Sequence, residues 1–118
     1  MSWVKVLSES ELDPGDRQIV KVEKEKILLV NHGGSICAVK NACPHLKAPL
    51  SKGKITADGA IVCPLHRSAF DLATGVPKSW IPWPPGLGKL LGAISKEKPL
   101  QVYPIRVEEG DIWVEIAE

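Results

Sequence analysis

Cysteine and histidine are both scarce in this chain of 118 residues, which has only three of each. So few cysteines exclude a framework of several disulfides, and an odd number fits a reducing compartment with metal-bound or free thiols. The longest uninterrupted apolar runs, such as residues 27–30, are far too short to cross a bilayer. We therefore expect an unexported, cytoplasmic protein with no membrane span.

An excess of charge of one sign is lacking as well, because 15 basic residues stand against 14 acidic ones. This balance gives no general case for binding nucleic acid or a membrane surface. The sequence GLGK at 86–89 has neither the spacing nor the following serine or threonine of a phosphate-binding loop, so no nucleotide site is expected. The length fits a single domain, 1–118, with one core.

Short runs rich in valine, isoleucine and tryptophan recur about every ten residues between glycine, proline, aspartate and asparagine clusters, which is typical of an antiparallel all-β domain. Alternating apolar residues from Tyr103 to Ile116 predict a C-terminal hairpin. Residues 80–99 break the pattern, and their apolar residues at helical spacing predict a short helix that either packs on the sheet or docks a partner. The predicted strands before this segment are 3–7, 17–22, 26–31, 35–40 and 60–62.

Two of the three cysteines and two of the three histidines form two tight pairs, Cys43 with His45 and Cys63 with His66. Thiolate and imidazole groups in such pairs indicate four metal ligands. Zinc accepts two sulfur and two nitrogen ligands, although common zinc modules pair cysteine with cysteine and histidine with histidine. Because each pair here is mixed, it suits a binuclear centre in which the cysteines hold one iron, the histidines hold the other, and two sulfides bridge them.

The sequences CPH at 43–45 and CPLHRSAFDLATG at 63–75 resemble the two cluster-binding loops of the Rieske 2Fe-2S proteins, most closely those of the soluble single-domain Rieske-type ferredoxins. The residues at 99–114 resemble the closing hairpin of that family. The resemblance implies stacked antiparallel sheets with one 2Fe-2S cluster held at a tip by two loops, about 43–52 and 63–76. Residues about 80–99 look like an insertion relative to the shorter members.

The resemblance also suggests how the cluster is tuned. Ser68 matches a serine that hydrogen-bonds a bridging sulfide in the quinol-oxidising Rieske proteins, whereas Phe70 stands where those proteins have a tyrosine. Ala48 and Leu65 stand where they have a disulfide. Hydrogen bonds to the sulfurs and nearby positive charge raise the potential, so we expect a potential below that of the quinol-oxidising proteins, raised slightly by Ser68 and Arg67.

Charge is uneven along the chain although the total is small. Residues 40–78 have only two acidic residues against six basic ones, which are Lys40, Lys47, Lys52, Lys54, Arg67 and Lys78. Complementary charge speeds the encounter of redox proteins. We therefore expect a basic cluster tip that docks a reductase and an electron acceptor through acidic patches on those partners.

The expected function is to pass single electrons from a reductase to a terminal acceptor such as an oxygenase. We do not expect an enzyme, because oxygenase subunits with this motif add a mononuclear iron held by two histidines and a carboxylate, and only His32 remains for it. Two alternatives stay open, a small subunit of a larger reductase such as nitrite reductase, and a zinc-stabilised interaction domain. Cys37 is expected to be a small buried residue and His32 a solvated turn residue.

Overall fold

The computed structural model describes residues 2–42, 49–64, 68–79 and 99–116. These residues form three antiparallel sheets, which confirms the predicted all-β class. Among them, no helix is long and apolar enough to cross a membrane. The strands are β1 (Ser2–Ser8), β2 (Arg17–Val22), β3 (Glu25–His32), β4 (Ser35–Lys40), β5 (Ala60–Val62), β6 (Ala69–Asp71), β7 (Pro77–Ser79), β8 (Val102–Tyr103), β9 (Ile105–Glu108) and β10 (Asp111–Ile116).

The sheet β2-β3-β4-β8 is the middle layer between the sheets β1-β10-β9 and β5-β6-β7. Ile27 and Leu29 of β3 point into a core shared with β1 and β10, while Leu28 and Val30 point into a second core shared with β5 and β6. Both faces of β3 are therefore covered, which explains its continuous apolar run. Fully burying one such side chain contributes about 1.5–3 kcal/mol. The second core therefore stabilises the packing of the sheet β5-β6-β7 against the middle sheet.

Three predicted strands match the structure to the residue, namely 17–22, 35–40 and 60–62. The predicted C-terminal hairpin is formed by β9 and β10, but placing Tyr103 on its first strand was wrong. Tyr103 belongs to β8 and pairs with Ala38 of β4 in the middle sheet. Pro104 separates the two strands because proline has no N–H to continue a ladder.

Candidate metal centre

Asn41 fastens the segment that contains Cys43 and His45. Its side-chain Oδ1 accepts hydrogen bonds from the backbone N–H groups of Leu50 at 2.9 Å and Ser51 at 3.0 Å. Its own N–H donates to the carbonyl of Lys26 on β3 at 2.9 Å. Because Asn41 is buried, these bonds are shielded from water and hold both ends of the segment 42–49 against the middle sheet.

The segment that contains His66 is closed in a different way. β5 and β6 pair with Ile61 opposite Phe70, and the ladder continues to Cys63, whose N–H donates to the carbonyl of Ser68 at 2.7 Å. Cys63 and Ser68 are therefore directly opposite each other at the end of the hairpin. In the sequence, four residues, 64–67, separate these two positions, and His66 is among them.

The chain after the first segment contacts the chain before the second. The N–H of Val62 donates to the carbonyl of Lys54 at 2.8 Å, and Gly53 packs directly on the Val62 carbonyl. A Cβ at position 53 would lie 2.1 Å from that oxygen, so this close approach requires glycine. Arg17 Nη1 donates to the carbonyls of Ser51 at 3.0 Å and Gly53 at 2.5 Å, which ties the same stretch to β2.

Cys63, Ser68 and Phe70 share one buried face of the hairpin. Their exposed fractions are 2%, 1% and 0%, whereas the alternating neighbours Val62 and Ala69 are only partly buried. The period of two along a strand places all three side chains toward the second core. A serine and an aromatic residue thus flank the cysteine on its own face, which is the arrangement that the tuning interpretation requires.

Of the residues predicted for the site, Cys63, Ser68 and Phe70 are described, while Cys43, His45, His66 and Arg67 lie outside the described residues. Asn41, Arg17 and Gly53 were missed by the sequence analysis. Their roles depend on contacts between distant parts of the chain, although an asparagine at the end of a strand could have suggested a turn-closing side chain.

The described part of the site fits a 2Fe-2S cluster. The donor set of two cysteines and two histidines, one of each on either segment, is that of a cluster with two histidines on one iron. The described residues next to the two segments are hydrogen-bonded to each other and to the middle sheet. A centre shared between two segments requires such connections. Cys63 itself is buried, which suits a ligand shielded from solvent.

Lys78 adds no unpaired positive charge to the predicted basic surface, because it pairs with two aspartates. Its Nζ lies 3.0 Å from Asp58 Oδ2 and 3.6 Å from Asp71 Oδ2. The Thr56 hydroxyl, which donates to Asp58, and Lys78 lower the pKa of that carboxyl to about 2. Backbone N–H groups of Thr74 and Ala73 lower the pKa of Asp71. The two acidic residues of the stretch 40–78 thus both pair with one of its lysines, and these three side chains together have a net charge of −1.

The two remaining singletons differ slightly from expectation. Cys37 is half-buried rather than buried, because a cavity of about 320 Å³ lined by Cys37, Leu72 and Val102 opens beside it. Burial, followed by the negative charge of Asp71, raises the pKa of this thiol. His32 ends β3 and is partly buried, with Nε2 3.2 Å from the Ala57 carbonyl oxygen, so it is not a freely solvated turn residue.

Comparison with known proteins agrees with this reading of the site. A family model described as the Rieske [2Fe-2S] domain matches residues 2–104. The 3-phenylpropionate/cinnamic acid dioxygenase ferredoxin subunit of Shigella flexneri is 35% identical over 92 residues, which cover 78% of this chain and 74% of the relative. The biphenyl dioxygenase ferredoxin subunit of Pseudomonas sp. (strain KKS102) is 31% identical over 117 residues, covering 99% and 94%.

Solved structures show the same relationship. The ferredoxin of carbazole 1,9a-dioxygenase from Nocardioides aromaticivorans IC177 has a TM-score of 0.76 and 28% identity, with 97% of each chain covered. A ferredoxin solved in complex with the reduced oxygenase of carbazole 1,9a-dioxygenase has a TM-score of 0.73 and 30% identity, with 95% of this chain and 91% of that chain covered.

The chain belongs to the Rieske [2Fe-2S] family. Its cofactor is accordingly one 2Fe-2S cluster, and its activity is electron transfer rather than catalysis. This confirms the predicted carrier and decides against the zinc-stabilised interaction domain. The relatives named above are ferredoxin subunits of dioxygenases, which favours a carrier over the small subunit of a larger reductase.

Proposed function

We propose that this protein carries single electrons from a reductase to a terminal oxygenase. When bound, the cluster supplies the one-electron couple. The observation that carries the proposal concerns the two ligand-bearing segments, 42–49 and 64–67. The stretch after the first segment contacts Val62, just before the second, through Gly53 and Lys54. Asn41 and Arg17 hold that stretch to the middle sheet. The relatives named as dioxygenase ferredoxin subunits support the choice of an oxygenase as acceptor.

The proposed ligands are Cys43 and Cys63 for one iron and His45 and His66 for the other. This division follows from the mixed pairs in the sequence, because each segment then contributes one ligand to each iron. The placement of Cys63 on the buried face supports its share of the assignment. Ser68 and Phe70, on the same face, are proposed to tune the potential, as is Arg67 by its charge.

The proposed docking surface is the basic end of the molecule, with Lys40, Lys52, Lys54, Lys47 and Arg67. Lys78 is removed from the predicted set because Asp58 and Asp71 already pair with it. Opposite charge on the partners speeds their encounter with this surface. We also keep the cytoplasm as the proposed location, since cluster-bound and free thiols suit a reducing compartment.

We further propose that the chain is a single domain, 1–118, with an insertion at about 80–99. Residues 80–98 lie outside the described residues, and the predicted helix falls among them. The N–H of Leu100 donates to the carbonyl of Gly75 at 2.8 Å. This bond places Leu100, which follows the proposed insertion, beside the turn that precedes β7, and so supports an insertion between β7 and Leu100.

The test is electron transfer by the purified, cluster-loaded protein. The protein is reduced with dithionite and mixed with the oxygenase component of the biphenyl dioxygenase of Pseudomonas sp. (strain KKS102). We expect a reversible one-electron couple and reoxidation that is faster with the oxygenase than without it. Purified protein that contains zinc but no iron or labile sulfide would contradict the proposal.

A further inference from the structure

A groove of about 650 Å³ opens beside the bases of the two ligand-bearing segments. Its described lining includes three lysines from separate parts of the chain, Lys21, Lys26 and Lys52, and no acidic residue. Ile19 contributes an apolar wall and is 46% exposed, so an apolar surface is accessible between the lysines. The rest of the described lining is Asn41, Pro49, Ser51 and Pro64.

The strand register shows why these lysines gather here. Lys21 of β2 is directly opposite Lys26 of β3, and Ile19 shares their side of the sheet. Further along β3, the same side is covered by the second core through Leu28 and Val30. The groove is therefore the uncovered continuation of the face that packs against the small sheet.

Two lysines directly opposite each other repel, which costs some stability in the free protein. Within the described parts of the chain, Lys21, Lys26 and Lys52 make no ion pair, whereas Lys5, Lys78 and Arg106 do. An uncompensated positive cluster around an exposed apolar side chain suits a negatively charged partner with an apolar side chain at its centre.

The groove is continuous with the structure that supports the metal centre. Pro49 follows the segment that contains Cys43 and His45, and Pro64 directly follows Cys63. Lys26 accepts the N–H of Asn41 through its carbonyl at 2.9 Å. A protein bound in the groove would consequently lie next to both ligand-bearing segments. Electron transfer requires the partner to come close to the cluster that these segments are proposed to hold.

A second cavity of about 340 Å³ extends the positive surface around the turn between β2 and β3. Its lining includes Lys24, Lys26 and Lys40 together with one carboxylate, that of Glu25. Glu25 Oε2 already accepts the hydroxyl of Tyr103 at 2.8 Å. Five lysines thus surround the two cavities, and three of them lie outside the basic stretch 40–78 identified in the sequence.

We propose that this groove receives an acidic projecting segment of the electron-transfer partner, with carboxylates on the lysines and one apolar side chain against Ile19. The proposal rests on the proposed carrier function, since it is the redox partner that would bind beside the cluster. The proposed docking surface then extends from the two ligand-bearing segments to the side of the middle sheet formed by β2 and β3.

The probe is an acidic peptide, Glu-Glu-Leu-Glu-Glu, titrated into isotope-labelled, cluster-loaded protein and followed by NMR. We expect saturable shifts at the amides of Ile19, Lys21, Lys26 and Lys52, which weaken as salt rises from about 0.05 to about 0.5 M. A peptide with serine in place of leucine should bind more weakly. Shifts confined to other surfaces, or no saturable binding, would overturn the proposal.

Lys52→Glu and Lys5→Glu form a matched pair, because both lysines are exposed, but only Lys52 lines the groove, whereas Lys5 lies on β1, outside the proposed docking surface. A surface ion pair changes affinity by up to about fivefold, and charge reversal adds repulsion, so Lys52→Glu should raise the Kd at least about fivefold. Lys5→Glu should change it less than about twofold. Equal effects would indicate general attraction and reject the groove.

Two further measurements separate the possible failures. The visible spectrum and one-electron reduction by dithionite test the carrier function without any partner, so they should be the same in both variants and in the parent protein. Sedimentation of the parent and of Lys52→Glu tests whether a second copy of this chain occupies the groove. Self-association that the variant abolishes would overturn the partner proposal in favour of a dimer.

Discussion

Asn41→Ala is the substitution that most directly probes how the protein builds its metal centre. It removes the oxygen that accepts the N–H groups of Leu50 and Ser51. Each buried donor left unsatisfied costs about 1–3 kcal/mol, and because the Ser51 group is only partly buried, we expect a total loss of about 2–4 kcal/mol. The segment that contains Cys43 and His45 would also lose its fastening, so the cluster should be released faster.

Asn31→Ala is the matched control. Asn31 is 6% exposed and Asn41 9%, and Asn31 also makes two side-chain bonds, accepting from Gly34 N at 2.9 Å and donating to the Leu12 carbonyl at 2.8 Å. Those bonds are away from the ligand-bearing segments. The control should therefore lose comparable stability, again about 2–4 kcal/mol, without faster release of the cluster.

The assay follows two signals in each variant. Urea unfolding monitored by circular dichroism gives the free energy of unfolding, and the decay of visible absorption in the presence of a chelator gives the rate of cluster loss. Asn41→Asp keeps an accepting oxygen and should restore most of the slow release. If Asn41→Ala loses stability but releases its cluster no faster than Asn31→Ala, the reasoning about the fastening of this segment is refuted.

Four other substitutions have clear expected outcomes. Gly53→Ala would place a Cβ 2.1 Å from the Val62 carbonyl, so it should cost about 1–3 kcal/mol in urea unfolding and lower the iron bound per chain; full occupancy would contradict the close-approach argument. Phe70→Tyr should raise the potential by adding a hydroxyl on the face of Cys63, and Ser68→Ala should lower it; voltammetry without a shift in either would reject the tuning role. Burial, followed by the hydrogen bond to Glu25, raises the pKa of Tyr103, so stability should fall as pH rises above about 10, where only the unfolded tyrosine ionises. Tyr103→Phe should remove that fall. Because Tyr103 is the only tyrosine, tyrosinate absorption that appears in the folded protein at pH ~10 would contradict the argument.

The sequence predicted β2, β4 and β5 to the residue because each is a run rich in valine, isoleucine or alanine between turn residues. β6 and β7 were missed because their three residues, AFD and PKS, do not form such a run. Tyr103 was misplaced because alternation shows which face a residue occupies and not which strand it pairs with.

The candidate site was predictable as far as residue types and spacing define it. The mixed cysteine and histidine pairs predict four ligands, and the family resemblance adds Ser68 and Phe70; of these residues, the structure describes Cys63, Ser68 and Phe70 and places them on one buried face. The supporting contacts were not predictable. Arg17 reaches carbonyls 34 and 36 residues away, and Lys21 and Lys26 join the groove with Lys52 only through the folding of β2 and β3 against a distant segment.

The central claim is that two thiolates hold one iron and two imidazoles hold its neighbour. Pulsed electron paramagnetic resonance of the reduced protein, prepared with isotope-labelled histidine, tests it most directly. We expect two histidine nitrogens coupled to the cluster spin. Where a cluster is retained, one coupling should be lost in His45→Ser and the other in His66→Ser. A cluster with no histidine nitrogen coupling would contradict the account.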